Sequence, residues 1–265
     1  MRPRLVASDL DGTLLKRDGT VDDRTRSAIA QAEAAGAVVV FCTARPPLRL
    51  KALADAAGHR GVAICANGAV VWDLHTESVV EATPLEPAIA QELVELLRAE
   101  MPGGTWAVER TAGFGHEPEY VPRWPLPDGT TVDAVDALVA QPVIKLLLRH
   151  SGMSADELLS RAREACGPLA EFSHSNSADA LLEISAAGVS KASALARLCE
   201  QRGIERDDVV AFGDMPNDLP MLSWAGYAVA VANAHPDVIA VADEVTASND
   251  EAGVARVLER LFGLN

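Results

Sequence analysis

Residues 5–13 read Leu-Val-Ala-Ser-Asp-Leu-Asp-Gly-Thr, an apolar run that ends in two carboxylates. The apolar part is typical of a buried strand, so Asp9 lies where that strand ends. Side chains two residues apart on extended backbone lie on the same side. We therefore expect Asp9 and Asp11 to converge, with Gly12 and Thr13 forming a tight turn. These residues alone also allow a simple strand end with an Asx turn, because Asp and Gly are common in turns.

The two carboxylates of Asp9 and Asp11 would repel each other unless a cation lay between them. A few oxygen ligands suit a hard ion that keeps several of its waters, and Mg²⁺ is such an ion. With the charge neutralised, one carboxylate can attack phosphorus. The other can protonate the leaving oxygen and then activate water. The pair therefore indicates phosphoryl transfer through an aspartyl phosphate.

Thr43 follows the apolar run 37–42, whose β-branched residues are typical of a buried parallel strand. Pro46 and Pro47 then favour the start of a helix, since proline suits a first helical turn. A hydroxyl between a strand end and a helix start can bind a phosphate oxygen. The alternative is that Thr43 only caps that helix.

Lys191 follows Ser190, which we predict to be the N-cap of a helix. A lysine in a first helical turn opposes the helix dipole, whereas a phosphate at the same place would attract it. Lys191 is therefore either a phosphate-binding residue or a solvated surface residue. The residues alone leave both interpretations open.

Asp214 and Asp218 follow the apolar run 209–212. Asp214 would complete the metal site. Asp218 would ligate the metal through water, hold another group in place, or act only as a negative charge at a helix N-terminus. Each motif is weak alone, but all of them lie at strand ends or helix starts, where open α/β sheets bind ligands.

The motifs resemble motifs I to IV of the haloacid dehalogenase (HAD) superfamily. The matching residues are Asp9-x-Asp11-Gly12-Thr13, Thr43, Lys191 and Gly213-Asp214-x-x-Asn217-Asp218. Segments 65–69 (Cys-Ala-Asn-Gly-Ala) and 218–222 (Asp-Leu-Pro-Met-Leu) are similar to the Cof-type class IIB phosphatases. The chain departs from the family pattern at Ala44 and Ala192, where the family usually or often has glycine.

The resemblance implies a role for each matching residue. Asp9 would be the nucleophile and Asp11 the general acid and base. The implied phosphate-binding residues are Thr43, Lys191 and Asn217. The implied Mg²⁺ ligands are Asp9, Asp11 through its carbonyl oxygen, and Asp214, with Asp218 supporting the metal site.

Three further residues are candidates for substrate contact. Asn67 lies where the family often contacts its substrate, and Arg45 is near the predicted site. Lys145 lies in an apolar strand of the middle region, where a charge needs a partner or a ligand.

The chain of 265 residues has two kinds of region. Residues 1–84 and 186–265 alternate predicted strands with helices, which implies parallel strands with right-handed crossovers. Residues 85–185 contain predicted helices, short strands and a segment rich in proline and glycine. We predict an α/β fold in which a Rossmann-like, doubly wound parallel-sheet core is interrupted by an α+β cap. The resemblance implies a cap of the C2B type.

The composition restricts which partners the protein can bind and where it is expected to be found. A net charge of −15 argues against binding to nucleic acid or to an anionic membrane, since both need a basic surface. The four cysteines form no CxxC pair and no zinc-site spacing, so we expect no disulfides, and we expect Cys42 and Cys65 to be buried thiols in apolar strand ends. The start Met-Arg-Pro-Arg leads into a strand and no apolar run reaches 18 residues, so we expect no signal peptide and a soluble, cytoplasmic protein.

The predicted function is Mg²⁺-dependent hydrolysis of a small phosphomonoester, by resemblance a sugar phosphate or a related metabolite. The first alternative is a phosphotransferase or phosphomutase, because the same aspartyl phosphate can pass its phosphoryl group to a sugar hydroxyl. The second alternative is a non-catalytic regulator that binds a phosphorylated metabolite. Intact Asp9 and Asp11 argue against that regulator.

Overall fold

The computed structural model describes residues 2–58, 61–111 and 113–263. The chain divides into two compact units. The first contains Met1–Glu81 and Ser190–Asn265, and the second contains Ala82–Val189. The boundaries predicted from the sequence are 84/85 and 185/186.

The strands of the described residues are numbered in chain order. They are β1 (Leu5–Ser8), β2 (Val38–Cys42), β3 (Val62–Cys65), β4 (Val70–Asp73), β5 (Ser78–Ala82), β6 (Thr105–Arg110), β7 (Gly113–His116), β8 (Thr131–Val132), β9 (Lys145–Arg149), β10 (Ala170–Ser173), β11 (Leu181–Ala186), β12 (Val209–Gly213), β13 (Tyr227–Ala230) and β14 (Glu244–Val245).

The α-helices are numbered in the same way. They are α1 (Asp23–Ala34), α2 (Lys51–Ala57), α3 (Pro87–Glu100), α4 (Val135–Leu138), α5 (Ala155–Cys166), α6 (Lys191–Arg202), α7 (Leu219–Trp224), α8 (Pro236–Val241) and α9 (Gly253–Phe262).

The first unit is built on one sheet with the strand order β14-β13-β12-β1-β2-β3-β4-β5. Every pair from β14 to β3 is parallel, and β4 pairs antiparallel with β3. The central strands β1 and β12 are buried along their whole length, as parallel strands covered on both faces require. The predicted α/β fold with a parallel-sheet core is confirmed.

Helices on the first unit bury this sheet. One apolar cluster joins side chains of α6 and α7 to β1, β2 and β12, among them Leu195, Leu222 and Leu5. Burying a leucine of this kind contributes roughly 1.5–3 kcal/mol. The packing therefore makes β1 a rigid support for the residues that follow it.

The second unit is built on a sheet with the order β10-β11-β9-β6-β7-β8. Its α3 and α5 pack in one apolar cluster with β6, β9 and β11, which includes Leu93, Leu158 and Leu146. On β9, Lys145 and Leu147 alternate with Leu146 and Leu148, so the lysine lies on the sheet face opposite that cluster.

All four cysteines are buried free thiols, including Cys42 and Cys65, whose burial the sequence predicts. Among the residues that the structure describes, none of the helices has the length and apolar character needed to cross a bilayer.

Candidate active site

The parallel register of the first sheet places three predicted site residues at one edge. Asp9 follows β1, Thr43 follows β2 and Asp214 follows β12. The backbone continues the ladder there, because the amide of Asp9 donates to the carbonyl of Phe212 over 3.0 Å. The sheet thus holds these residues at the carboxyl ends of adjacent strands, where α/β folds bind ligands.

Lys191 lies at the centre of the candidate site. Its Nζ donates to Asp9 Oδ1 and to Asp218 Oδ1, each over 2.6 Å, and its side chain has no exposed surface. Burial by itself lowers the pKa of Lys191, but the carboxylates of Asp218 and Asp9 outweigh burial and raise that pKa above its ordinary value. Lys191 is therefore a charged ammonium that fixes the two carboxylates.

Asp218 uses both carboxylate oxygens inside the protein. While Oδ1 accepts from Lys191, Oδ2 accepts from the backbone amides of Asp214 and Met215 over 3.0 and 3.1 Å. The side chain closes the turn that begins at Pro216. These contacts favour a supporting role for Asp218 over direct ligation of a metal.

Asp214 is oriented by the first motif. Thr13 Oγ1 donates to Asp214 Oδ1 over 2.8 Å. Gly12 has a φ of +88°, and a Cβ atom there would lie 2.2 Å from Asp214 Oδ2. Glycine is therefore required at that position both by the backbone conformation and by the close approach of the carboxylate.

Three buried carboxylates, those of Asp9, Asp214 and Asp218, place one oxygen each within 4.8 Å of one another. Burial, followed by repulsion from Asp218, raises the pKa of Asp214 to about 7. Burial also raises the pKa of Asp9 well above its ordinary value, against the opposing effect of Lys191. A buried set of oxygen donors with excess negative charge fits a hard divalent cation.

Asp11 is held by a different partner. Arg45 Nε donates to Asp11 Oδ2 over 2.6 Å, and the backbone amide of Arg45 donates to Thr43 Oγ1 over 3.0 Å. The hydrogen bonds that Arg45 donates to Asp11 raise the pKa of the Arg45 guanidinium. The Asp11 side chain is 50% exposed, so its carboxylate lies where water can reach it.

Asn67 and Asn217 meet across the site, because Asn217 Nδ2 donates to Asn67 Oδ1 over 3.0 Å. Both side chains are buried. The structure therefore joins a predicted substrate contact to a predicted phosphate ligand.

Lys145 lies in the second unit and is also buried. Its Nζ is 3.4 Å from Glu109 Oε2 and 3.7 Å from Glu183 Oε2. Ser175 Oγ donates to Glu183 Oε1 over 2.6 Å. The positive charge of Lys145, for which the sequence indicated no partner, is thus neutralised by two carboxylates.

Two contacts of the site come from residues to which the sequence assigned no functional role, Thr13 and Asn233. One is the Thr13–Asp214 hydrogen bond described above. The other comes from Asn233, whose Nδ2 donates to the carbonyl of Gly12 over 2.8 Å. The available signal was its position just after β13, at the same sheet edge as Asp214.

The chain resembles known proteins in both sequence and fold. Residues 6–258 match the family described as haloacid dehalogenase-like hydrolase. The chain belongs to this HAD family. The resemblance drawn from the four motifs is confirmed.

Two curated relatives are phosphatases of similar length. The HAD chain is 31% identical over 258 residues to the 5-amino-6-(5-phospho-D-ribitylamino)uracil phosphatase YcsE of Bacillus subtilis, covering 96% of this chain and 94% of that protein. It is 30% identical over 271 residues to the pyridoxal phosphate phosphatase YbhA of Escherichia coli, covering 97% and 98%. The prediction that the chain is a phosphatase of this family is confirmed.

Among solved structures, the subclass IIB sugar phosphatase BT4131 matches with a TM-score of 0.81. The match covers 99% of the HAD chain and 100% of that protein at 21% identity. At this identity the likeness shows the fold alone, and that fold is the one predicted for a class IIB HAD protein.

Proposed function

We propose that this HAD phosphatase hydrolyses a small phosphorylated metabolite, a sugar phosphate or a related phosphomonoester, through a phosphorylated Asp9 and with Mg²⁺. The observation that carries the proposal is the buried Lys191–Asp9 contact, because it fixes a carboxylate at the end of a rigid strand. The names of the two phosphatase relatives support a small phosphorylated substrate.

We assign different tasks to the two oxygens of Asp9. Oδ1 accepts from Lys191, so Oδ2 is the oxygen that attacks phosphorus while the bond to the leaving oxygen breaks. Asp11 then gives its proton to the leaving oxygen. In the second step Asp11 takes a proton from water, and that water attacks phosphorus and restores the Asp9 carboxylate.

The remaining polar groups bind the phosphoryl oxygens. We assign this task to the Thr43 hydroxyl, the Asn217 amide and the Lys191 ammonium. Arg45 holds the Asp11 carboxylate in place through its two hydrogen bonds.

Asn67 and Lys145 were predicted as substrate contacts. The hydrogen bond between Asn67 and Asn217 favours a positioning role for Asn67. The two carboxylates that neutralise Lys145 favour a structural role for it within the proposed cap of residues 85–185.

Asp9, Asp214 and the carbonyl oxygen of Asp11 would hold Mg²⁺, with Asp218 as support. When bound, the ion would neutralise the crowded carboxylates and polarise the phosphoryl group. This assignment agrees with the contacts of Asp218, whose oxygens already accept from Lys191 and from two backbone amides.

Mg²⁺ is expected to raise the melting temperature without any substrate, because an ion that binds only the folded protein stabilises it by mass action. EDTA should remove both this increase and the phosphatase activity. Asp214→Asn should abolish the Mg²⁺-dependent increase, since it removes one ligand charge. Differential scanning fluorimetry across a Mg²⁺ series measures the effect. An unchanged melting temperature together with full activity in metal-free buffer would overturn the metal assignment.

The main alternative is transfer of the phosphoryl group to a second hydroxyl. A mutase must hold a second phosphate, which requires a cluster of basic side chains. Basic side chains of the second unit are instead engaged with carboxylates or carbonyls of the same unit. These contacts join Arg98 to Asp136, Arg110 to Leu138, Arg123 and Arg149 to Asp179, Lys145 to Glu109 and Glu183, Arg161 to Glu157, and Arg163 to Phe172. Hydrolysis is therefore the better-supported reaction.

Phosphate released in ¹⁸O-water is expected to carry one oxygen from solvent, because water attacks the phosphorylated Asp9 at phosphorus. Mass spectrometry of the released phosphate measures this, with a panel of phosphorylated metabolites as substrates. A matched incubation without enzyme controls for spontaneous exchange. Isomerised sugar phosphate without net release of phosphate would replace hydrolysis by transfer.

A further inference from the structure

Three consecutive residues between β3 and β4 have positive φ angles. The values are 49° for Ala66, 56° for Asn67 and 106° for Gly68. Asparagine and glycine tolerate this region, but alanine adopts it at a cost in free energy and here has no polar side chain to offset that cost. All three residues are buried. A buried turn of this kind persists only when its surroundings hold it in place.

The backbone of this turn is bound to the segment that follows β2. The amide of Ala66 donates to the carbonyl of Arg45, and the amide of Asn67 donates to the carbonyl of Thr43, each over 3.0 Å. The turn therefore supports the residues that carry the Thr43 hydroxyl and the Arg45–Asp11 ion pair.

Gly68 lies directly against the start of α6. A Cβ atom on Gly68 would be 2.1 Å from the carbonyl oxygen of Ser190 and 3.2 Å from the amide nitrogen of Lys191. Ser190 is the N-cap of α6, and its carbonyl accepts from the amide of Ala194 over 3.2 Å. The position of the first turn of α6, and with it the Lys191 backbone, is thus set by contact with Gly68.

Asn67 reaches the fourth motif from the same turn. Its Oδ1 accepts from Asn217 Nδ2, and Asn217 directly precedes Asp218, which binds Lys191. The Asn217 side chain is 6% exposed. The hydrogen bond that Asn217 donates to Asn67 of the strained turn therefore orients the Asn217 amide, which we assign to phosphate binding.

We propose that the turn Ala66–Gly68 is a positioning device that sets Lys191 and Asn217 together. Gly68 positions Lys191 by allowing backbone contact with Ser190, and Asn67 positions Asn217 through its amide oxygen. The contacts of Gly68 and Asn67 carry the positioning of Lys191 and Asn217. The effect of that positioning on catalysis rests on the proposed function.

Gly68→Ala should displace the first turn of α6, because the new Cβ overlaps the Ser190 carbonyl. Hydrogen exchange of the Ser193 and Ala194 amides should accelerate by at least about tenfold relative to amides late in α6. Because misplacement of a positioned group by about 1 Å can cost 10²-fold, kcat/KM should fall by about 100-fold.

Gly203→Ala is the matched control. Gly203 ends the same helix with a φ of +59°, and a Cβ there would meet nothing within 4 Å. It carries backbone strain without a close contact, so its kcat/KM should stay within about twofold of the unmodified protein, as for a remote substitution. Equal losses in both variants would show that backbone strain alone is responsible and would overturn the positioning role of Gly68.

A double-mutant cycle tests Asn67 even if Gly68→Ala does not fold. Asn67→Gly keeps the left-handed backbone and removes the amide, and it should lower kcat/KM by about tenfold, as loss of one hydrogen bond does. If Asn67 acts through Asn217, then Asn67→Gly combined with Asn217→Ala should be within about twofold of Asn217→Ala alone. If the loss of kcat/KM in the double variant equals the product of the two single losses, Asn67 acts independently of Asn217, and the inference is overturned.

The two proposals fail in different ways. If the unmodified protein releases no phosphate from any metabolite in the panel, the proposed function fails, while the exchange rates of Ser193 and Ala194 still decide the structural inference. Unchanged exchange in a folded Gly68→Ala protein would overturn the inference even if the enzyme is active.

Discussion

Asp9→Asn is expected to lower turnover by at least about 10⁴-fold, because it replaces the attacking carboxylate with an amide that cannot form the phosphorylated intermediate. The change preserves shape and still allows Lys191 Nζ to donate to the side-chain oxygen. Steady-state release of phosphate from the preferred metabolite is the measurement. Near-normal turnover would overturn the assignment of Asp9 as nucleophile.

The same variant should be as stable as the unmodified protein or more stable at neutral pH without metal. The pKa of Asp9 is raised in the folded protein, so this carboxyl contributes stability when protonated, and that contribution is lost as pH rises through its folded pKa. A neutral amide avoids that loss. Asp207→Asn is the control, since the Asp207 side chain is 84% exposed and lies before β12, at the opposite end of that strand from Asp214. This variant should leave both activity and melting temperature unchanged.

Lys191→Met is expected to abolish activity and to lower the free energy of unfolding by about 3–5 kcal/mol, because removing one partner leaves buried charges uncompensated. The charges left facing each other would be those of Asp9 and Asp218, which now share the ammonium. Urea unfolding followed by circular dichroism is the measurement.

The effect of Lys191→Met on stability should diminish as the pH is lowered. Protonation of either carboxyl removes the repulsion in the variant, while in the unmodified protein it weakens the ion pairs with Lys191. Lys16→Met provides the comparison and should change stability by no more than about 0.5 kcal/mol, as surface substitutions usually do. Equal stability of Lys191→Met and the unmodified protein at neutral pH would contradict the buried ion-pair interpretation.

Local rules predicted the parts of the structure that depend on neighbouring residues. Asp22 caps α1 through the amide of Thr25, and Ser154 caps α5 through the amide of Glu157. Ser190 caps α6 as expected. These motifs span three residues, so the sequence contains all the information that they need.

Elements that depend on distant pairing were not predicted. β7, β8 and α4 lie in and just beyond the segment rich in proline and glycine. The two-residue strand β8 exists only because it pairs with β7. Separate 3₁₀ turns also precede α7 and α9, at Pro216–Asp218 and at Asn249–Glu251, and the sequence does not indicate them.

The same distinction applies to the candidate site. The order of the motifs and the strand ends indicated which residue types gather at the sheet edge. They did not indicate which side chains pair, because Thr13 is separated from Asp214 by 201 positions and Asn67 from Asn217 by 150. The first pair follows from the pairing of β1 with β12 and the second from the packing around the turn at 66–68, and no local pattern specifies either.

The pairing of β1 has a consequence for synthesis on the ribosome. Leu5 pairs with Val38 on one side and with Val209 on the other. At 5–20 residues per second, the second neighbour emerges roughly 10–40 s after the first strand. Throughout that interval one apolar edge of β1 has no partner, and the continuous segment Ala82–Val189 is complete before that partner is made. The nascent chain therefore carries an open strand edge, a template for aggregation, until its last quarter is made.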